Sequence, residues 1–163
     1  MKTDELTKYR WLVRFVTESN AIEGICREPT VAELKAHDKF MSHKRLSVKT
    51  LQDLVKVLQP NAVLRATTDI HGVRVGNHIA PRSGPAIVVE LKTILKSATD
   101  VSVEPWCTHV AYESLHPFTD GNGRTGRALW LWQMRSRYQL ERAIGLGFLH
   151  AFYYQTLAQK QKK

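Results

Sequence analysis

One stretch of the sequence, residues 116–127, constrains the fold most because it joins a glycine-punctuated turn to the start of a helix. It reads His-Pro-Phe-Thr-Asp-Gly-Asn-Gly-Arg-Thr-Gly-Arg. Gly121 and Gly123 leave the backbone free to curl its N–H groups around an anion. The unbroken apolar segment that begins near Arg124 predicts a helix whose positive end faces the same point. The sequence therefore predicts a phosphate site at this junction.

The side chains of the same stretch suit a nucleotide polyphosphate. Arg124 and Arg127 fall on one face of a helix, where both guanidinium groups could bind phosphate oxygens bidentately. Asp120 offers the hard oxygen ligand that a phosphate-bound Mg²⁺ prefers. With His116 as a candidate base, the stretch contains what the attack of a hydroxyl on phosphorus requires.

This stretch resembles the motif of the Fic family, His-x-Phe-x-Asp/Glu-Gly-Asn-Gly-Arg-x-x-Arg, at every defining position. Members of that family mostly transfer AMP from ATP to a hydroxyl side chain of a target protein. The resemblance implies that His116 is the general base, that Asp120 holds Mg²⁺, and that Arg127 binds the γ-phosphate. It also implies that Asn122 and Arg124 bind the α- and β-phosphates with the amides of the loop. The remaining residues assigned to the nucleotide site are Gly121, Gly123 and Phe118, the last as a core anchor beneath the loop.

A second motif, Ser-Asn-Ala-Ile-Glu-Gly at residues 19–24, ends a segment predicted to be a helix over about 4–24. Its apolar face is expected at Leu6, Tyr9, Val13 and Val16. The motif resembles the inhibitory sequence Ser/Thr-x-x-x-Glu-Gly/Asn of many Fic proteins, here Ser19, Glu23 and the helix terminator Gly24. The resemblance implies that Glu23 pairs with Arg127 and occupies the place of the γ-phosphate. The expected protein is thus an autoinhibited enzyme of the subgroup with an N-terminal inhibitory helix, because a carboxylate and a phosphate compete for one guanidinium group.

Residues 64–80 predict a β-hairpin because apolar and polar side chains alternate in Val73-Arg74-Val75 and a glycine-containing turn follows. Fic proteins have a flap at this place that pairs with the target backbone as an added strand. By that resemblance Val73 or Val75 docks the target, and residues 77–81 form the segment leaving the flap. An ordinary surface hairpin is the alternative.

Capping boxes, prolines and glycines predict the other helices. These run from Thr30, from Ser47 to Leu58, from Pro85 to Ala98, from Pro105 to the motif, from about Asn122 to Tyr138, and from about Phe148 after Gly145 and Gly147. On the last helix, the resemblance places Tyr154, and more weakly Gln161, at the adenine pocket. The fold expected is all-α: one Fic domain over residues 1–163, a helical bundle with one short β-hairpin flap.

Composition and net charge limit the classes of partner that the protein is expected to bind. The 163 residues are 43% hydrophobic, enough for one core, and their net charge of +9 favours an anionic partner: ATP, an acidic target protein or nucleic acid. No aromatic-and-basic platform or zinc-finger spacing supports a nucleic-acid reader. Cys26 and Cys107 form no disulfide framework and are expected to be reduced, structural thiols. No apolar run suits a membrane or a signal peptide, which predicts a cytoplasmic protein, with export as an effector left open.

Two other classes of function remain open. The first keeps the fold and changes the chemistry: a de-AMPylating hydrolase, or a transferase of phosphate or another nucleotide moiety. The intact Gly-Asn-Gly turn and both arginines favour AMP transfer over phosphate transfer, but they do not decide between adding and removing AMP. The second is a non-enzymatic basic binding module, which the joint presence of His116, Asp120 and Arg124 disfavours. The target protein, a homo-oligomer, and a role as toxin, regulator or effector are left open.

Overall fold

The computed structural model of the protein describes residues 3–69, 73–75 and 78–135. Within these ranges the chain forms six helices and one pair of short strands. In chain order they are α1 (Thr3–Ile22), α2 (Val31–Ser42), α3 (Val48–Leu58), β1 (Arg74–Val75), β2 (His78–Ile79), α4 (Pro85–Ser97), α5 (Pro105–Leu115) and α6 (Asn122–Met134). The predicted all-α fold with one β-hairpin is confirmed. None of these six helices is both long and apolar enough to cross a membrane.

Local signals in the sequence start the helices. A capping box opens α2, where Thr30 Oγ1 accepts a hydrogen bond from the N–H of Glu33 at 3.2 Å and Glu33 Oε2 accepts one from the N–H of Thr30 at 2.7 Å. Ser47 and Thr50 form the second capping box, before α3. The prolines predicted to open α4 and α5 lie in their first turns, where a missing N–H removes no helical hydrogen bond. All four predicted starts are confirmed.

The central element of the fold is α6. Every residue from Arg124 to Met134 is buried, and the helix packs against α1, α2, α3 and α5. The hydrophobic core takes residues from all six helices. Packing on four sides therefore fixes the position of α6, whose first turn follows the motif loop.

Only part of the predicted apolar face of α1 is buried. Val16 is fully buried and Val13 is half-buried, whereas Leu6 and Tyr9 expose 43% and 50% of their surface. The prediction is wrong for the first turns because Tyr9 lines an open groove between α1 and α2. The end of the helix that carries the second motif is the end that packs into the core.

The hairpin is shorter than predicted. In its antiparallel ladder Arg74 lies opposite Ile79 and Val75 opposite His78, and the N–H of Ala80 donates to Val73 O at 3.0 Å. Residues 78–79 are thus the second strand and not a segment leaving the flap. Leu64, predicted within the hairpin, instead forms an isolated antiparallel bridge with Phe118. Residues 64 and 65 lie outside the observed hairpin because their backbones pair with the motif loop.

Two further predictions concern the end of the chain and the cysteines. The described part of α6 ends at Met134, and the residues from 136 onward lie outside the described ranges, including the predicted last helix with Tyr154 and Gln161. Cys26 and Cys107 are free and exposed, so neither is the packed structural residue that was expected.

Candidate active site

The motif loop starts where α5 ends, at His116. This residue has left-handed backbone angles, φ 49° and ψ 61°, and its N–H donates to Tyr112 O at 2.9 Å. It is the only non-glycine residue with positive φ in the described part of the chain. Burial, followed by the positive charge of Arg65, lowers the pKa of the His116 imidazole to about 4. The ring is therefore neutral at pH 7, as a general base must be.

Asn122 holds the loop closed. Its Oδ1 accepts a hydrogen bond from the N–H of Phe118 at 2.9 Å, and its Nδ2 donates to Phe118 O at 2.8 Å. The Asn122 side chain is 1% exposed, and Phe118 is equally buried in the core. These contacts give the Asn122 side chain a structural task in the loop, and its contact with a phosphate stays a prediction. Phe118 lies beneath the loop as an anchor, as predicted, and offers no side-chain surface to a nucleotide.

The first turn of α6 presents free backbone donors. Gly121 precedes the helix with φ +74°, a conformation that favours glycine. The first hydrogen bond of the helix runs from the N–H of Thr125 to Gly121 O at 3.1 Å. The N–H groups of residues 122–124 therefore have no acceptor within the helix. Together with the helix dipole, these N–H groups give the start of α6 a positive potential that suits an anion.

Asp120 and Arg124 are joined through Gln59, which follows α3. Gln59 Nε2 donates to Asp120 Oδ2 at 2.6 Å, and Gln59 Oε1 accepts from Arg124 Nη2 at 3.1 Å. Asp120 Oδ1 also accepts from the N–H of Gly121 at 2.6 Å. Nothing in the sequence singles out Gln59, because it lies 61 positions before Asp120 and belongs to no motif. It fixes the orientation of the predicted metal ligand relative to a predicted phosphate ligand.

Arg127 brings the two motifs together. Its Nη2 donates to Glu23 Oε1 at 2.7 Å and to Ser19 O at 2.8 Å, and its Nε donates to Ser19 Oγ at 2.9 Å. The Arg127 side chain is fully buried, whereas that of Glu23 is 32% exposed. A Cβ added to Gly123 would lie well inside van der Waals contact with Glu23 Oε1 and 3.2 Å from Glu23 Cδ. The carboxylate of Glu23 thus lies directly on the first turn of α6.

Hydrogen bonds connect the end of α1 and the chain after it to α2. Gly24, with φ +74°, ends the turn that follows the helix. Glu33 accepts hydrogen bonds from Arg27 at 2.8 and 3.0 Å and from Asn20 Nδ2 at 3.4 Å. Burial would raise the pKa of Glu33, but the hydrogen bonds from Arg27 and Thr30 lower it to about 2. Glu33 is therefore ionised and binds the segment around Glu23 to α2, a contact that no motif predicted.

The predicted flap residues lie apart from these contacts. Val73 is half-buried and extends the hairpin beside Ala80, and Val75 is in β1. His78 Nε2 lies 2.9 Å from Ser114 O of α5 and ties the second strand to the helix that ends in His116. The third group of predicted residues, the adenine contacts on the last helix, lies outside the described ranges.

Comparison with known proteins agrees with this geometry. The model of the Fic/DOC family matches residues 45–134, which extend from just before α3 to the end of α6 and include the whole motif. The match covers more than half of the 163 residues, and α1 and α2 precede it. No curated protein matches the chain. The loop geometry, the buried arginines and the family match together show that the chain belongs to the Fic/DOC family.

Proposed function

We propose that this protein is an adenylyltransferase that transfers AMP from Mg²⁺-ATP to a hydroxyl side chain of a target protein and is inhibited by its own Glu23. Membership of the Fic/DOC family supports a transfer of this type or a related reaction. One observation carries the finer proposal: the carboxylate of Glu23 lies on the first turn of α6 and binds Arg127.

In the proposed reaction, His116 accepts the proton of the target hydroxyl as the hydroxyl oxygen bonds to the α-phosphorus. The bond from the α-phosphorus to the oxygen that bridges to the β-phosphate breaks, and pyrophosphate leaves. The depressed pKa of His116, about 4, keeps the ring able to accept that proton at pH 7. A positioned base of this kind contributes roughly 10²–10⁴-fold to the rate.

The phosphates would bind at the start of α6. Backbone N–H groups of residues 122–124 and the helix dipole attract negative charge. Arg124, 5% exposed, and the fully buried Arg127 add two positive charges to the same helix face. Because the site is largely removed from water, these charges are screened less than surface charges.

The carboxylate of Asp120 is a suitable ligand for the magnesium ion. Its exposed carboxylate is oriented by Gln59 and Gly121, and Mg²⁺ is commonly held by one or two carboxylates, water and substrate phosphates. Among the described residues, no cluster of three or more His, Cys, Asp or Glu could hold a metal ion. Binding would therefore depend on the nucleotide. When bound, Mg²⁺ neutralises phosphate charge.

Inhibition follows from the position of Glu23. A carboxylate and a terminal phosphate both seek the guanidinium group of Arg127 and the positive end of α6. Glu23 already occupies this position, so it must leave before a triphosphate can bind in the productive arrangement. The contact supports, as part of this proposal, a protein of the subgroup with an N-terminal inhibitory helix. The partner surface for the target would be the edge of the hairpin at Val73 and Val75.

The test measures the intact mass of three proteins after incubation with Mg²⁺-ATP: wild type, Glu23→Gly, and Glu23→Gly combined with His116→Ala. We expect a gain of one or more AMP units in the Glu23→Gly protein alone. Glu18→Gly is the matched control, because Glu18 is an exposed glutamate on the same helix.

Each other outcome contradicts a specific part of the proposal. AMP gain in the wild type at the rate of the Glu23→Gly protein would refute inhibition, and gain in the double variant would refute His116 as the base. No gain in any sample, together with release of AMP from a modified substrate by the wild type, would replace AMP transfer with AMP removal.

A further inference from the structure

Arg65 is a buried arginine that no motif includes. Its side chain is fully buried, and its backbone lies beside the motif loop. The N–H of Arg65 donates to Pro117 O at 2.9 Å, and Arg65 O accepts from the N–H of Gly84 at 3.0 Å. On either side, Leu64 bridges Phe118 and the N–H of Thr119 donates to Val63 O at 2.9 Å. Arg65 therefore connects the base of the flap with the loop after α5.

The guanidinium group of Arg65 makes four hydrogen bonds. Nε donates to His116 O at 2.6 Å and Nη2 to Leu115 O at 2.8 Å, so the positive group caps the carboxyl end of α5. Nη1 donates to Pro81 O at 2.9 Å and to Ser83 Oγ at 3.1 Å, on the chain returning from the flap. One planar group thus fixes two segments relative to each other.

His116 depends on this contact more than an ordinary helix end would. Left-handed backbone angles are costly for a residue with a Cβ and persist only where the surroundings enforce them. The enforcing contacts are the bond from the His116 N–H to Tyr112 O and the bond from Arg65 Nε to His116 O. Without the second bond, the peptide after His116 loses the donor that holds its carbonyl in place.

Arg65 also sets part of the electrostatic environment of the ring. Burial lowers the pKa of His116 most, and the charge of Arg65 lowers it further. The other groups facing the ring have smaller effects: the carbonyl of Glu113 and the carboxylate of Asp120 raise the pKa, and His78 of β2 lowers it. Arg65 is the largest charged contribution among them.

We infer that Arg65 is a positioning residue for the proposed reaction, because its guanidinium group joins the backbone of the base, His116, to the returning leg of the target-binding flap. The inference rests on the proposed function in two respects, the role of His116 as base and the docking of the target on the flap. It implies that one side chain sets the distance between the docked hydroxyl and the group that takes its proton.

The test compares Arg65→Lys with Arg65→Gln in the Glu23→Gly protein. Lysine keeps the charge but its single nitrogen cannot bond all four oxygens, whereas glutamine removes the charge. We expect both variants to transfer AMP at least about tenfold more slowly, because a misplacement of the reacting groups by about 1 Å can cost about 100-fold in rate, with ATP affinity within about twofold of the parent. The matched control is Arg82→Gln, which removes an exposed positive charge nearby and should leave the rate unchanged.

A second readout needs no nucleotide and separates this inference from the proposed function. Titration of the His116 ring by NMR should give an unchanged pKa in Arg65→Lys and a pKa higher by at least about half a unit in Arg65→Gln. A parental transfer rate in Arg65→Lys, or an unchanged His116 pKa in Arg65→Gln, would overturn the inference. If both variants fail to fold, Ser83→Ala removes only the bond at 3.1 Å. In the Glu23→Gly protein it should slow the gain of AMP mass with the His116 pKa unchanged, and an unaltered rate would then refute the link to the flap.

Discussion

The contact between Glu23 and the first turn of α6 predicts a measurable coupling between Glu23→Ala and Gly123→Ala. Gly123 has ordinary helical angles, so alanine alone would stabilise the helix by about 0.5–1 kcal/mol. Its Cβ, however, would displace the Glu23 carboxylate and lie 3.0 Å from Arg127 Nη1. Removing the partner of a buried charge costs about 3–5 kcal/mol. The Glu23 side chain is 32% exposed and water can replace it, so the cost falls to about 1–2 kcal/mol.

These energies predict that Gly123→Ala changes the free energy of unfolding in opposite directions in the wild type and in the Glu23→Ala protein. In the wild type, Gly123→Ala should lower the free energy of unfolding by about 0.5–1 kcal/mol. In the Glu23→Ala protein the same change should raise it by about 0.5–1 kcal/mol, because the clash is gone. The coupling free energy is then about 1–2 kcal/mol.

The assay is urea denaturation of the four proteins of the double-mutant cycle, without nucleotide. The control cycle uses Glu18→Ala, since Glu18 lies on the exposed face of α1; its coupling with Gly123→Ala should stay within about 0.3 kcal/mol. A Glu23 coupling below about 0.5 kcal/mol would show that the carboxylate is not held on α6. The competition argument for inhibition would then lose its structural basis.

Three further predictions concern the base, the loop and a buried acid. His116→Ala should abolish AMP transfer and leave the Kd for ATP within about twofold by calorimetry; an unchanged transfer rate would remove His116 as the base. Asn122→Ala leaves two buried backbone groups of Phe118 unpaired and should lower the free energy of unfolding in urea by about 2–4 kcal/mol, whereas intact stability would contradict the structural role of the side chain. Burial raises the pKa of Glu113 from 4.5 to about 7, because the folded protein favours the neutral carboxyl group. The contribution of this group to stability is therefore complete below pH 4.5 and is lost as the pH rises through 7. The stability that Glu113→Gln gains over wild type should therefore be larger at pH 8 than at pH 5 by about 2 kcal/mol, and equal gains at both pH values would contradict the shift.

The family resemblance and the spacing of the motif predicted contacts that the chemistry of single residues could not predict. The Gly-Asn-Gly turn before a buried helix is a local pattern, and the helix start that it predicts at Asn122 is where α6 begins. The pairing of Glu23 with Arg127 came only from the family resemblance, because 104 residues separate them and no periodicity connects them. The sequence did not predict that the Asn122 side chain binds the backbone of Phe118, because an amide can bind a phosphate or its own loop and only the folded loop shows the second contact.

The sequence by itself determined the features that depend on neighbours within a few residues. These include the two capping boxes, the proline-opened helices and the left-handed glycine before α6. Only the tertiary structure decided which distant groups support the site. Gln59 reaches Asp120, Arg65 reaches His116, and the chain before the hairpin pairs with the motif loop. The physical reason is that the packing of the helices around α6 brings these groups together. The energy of each contact depends on the burial of the groups and on hydrogen-bond geometry, and neither can be read from the separation of two residues in the sequence.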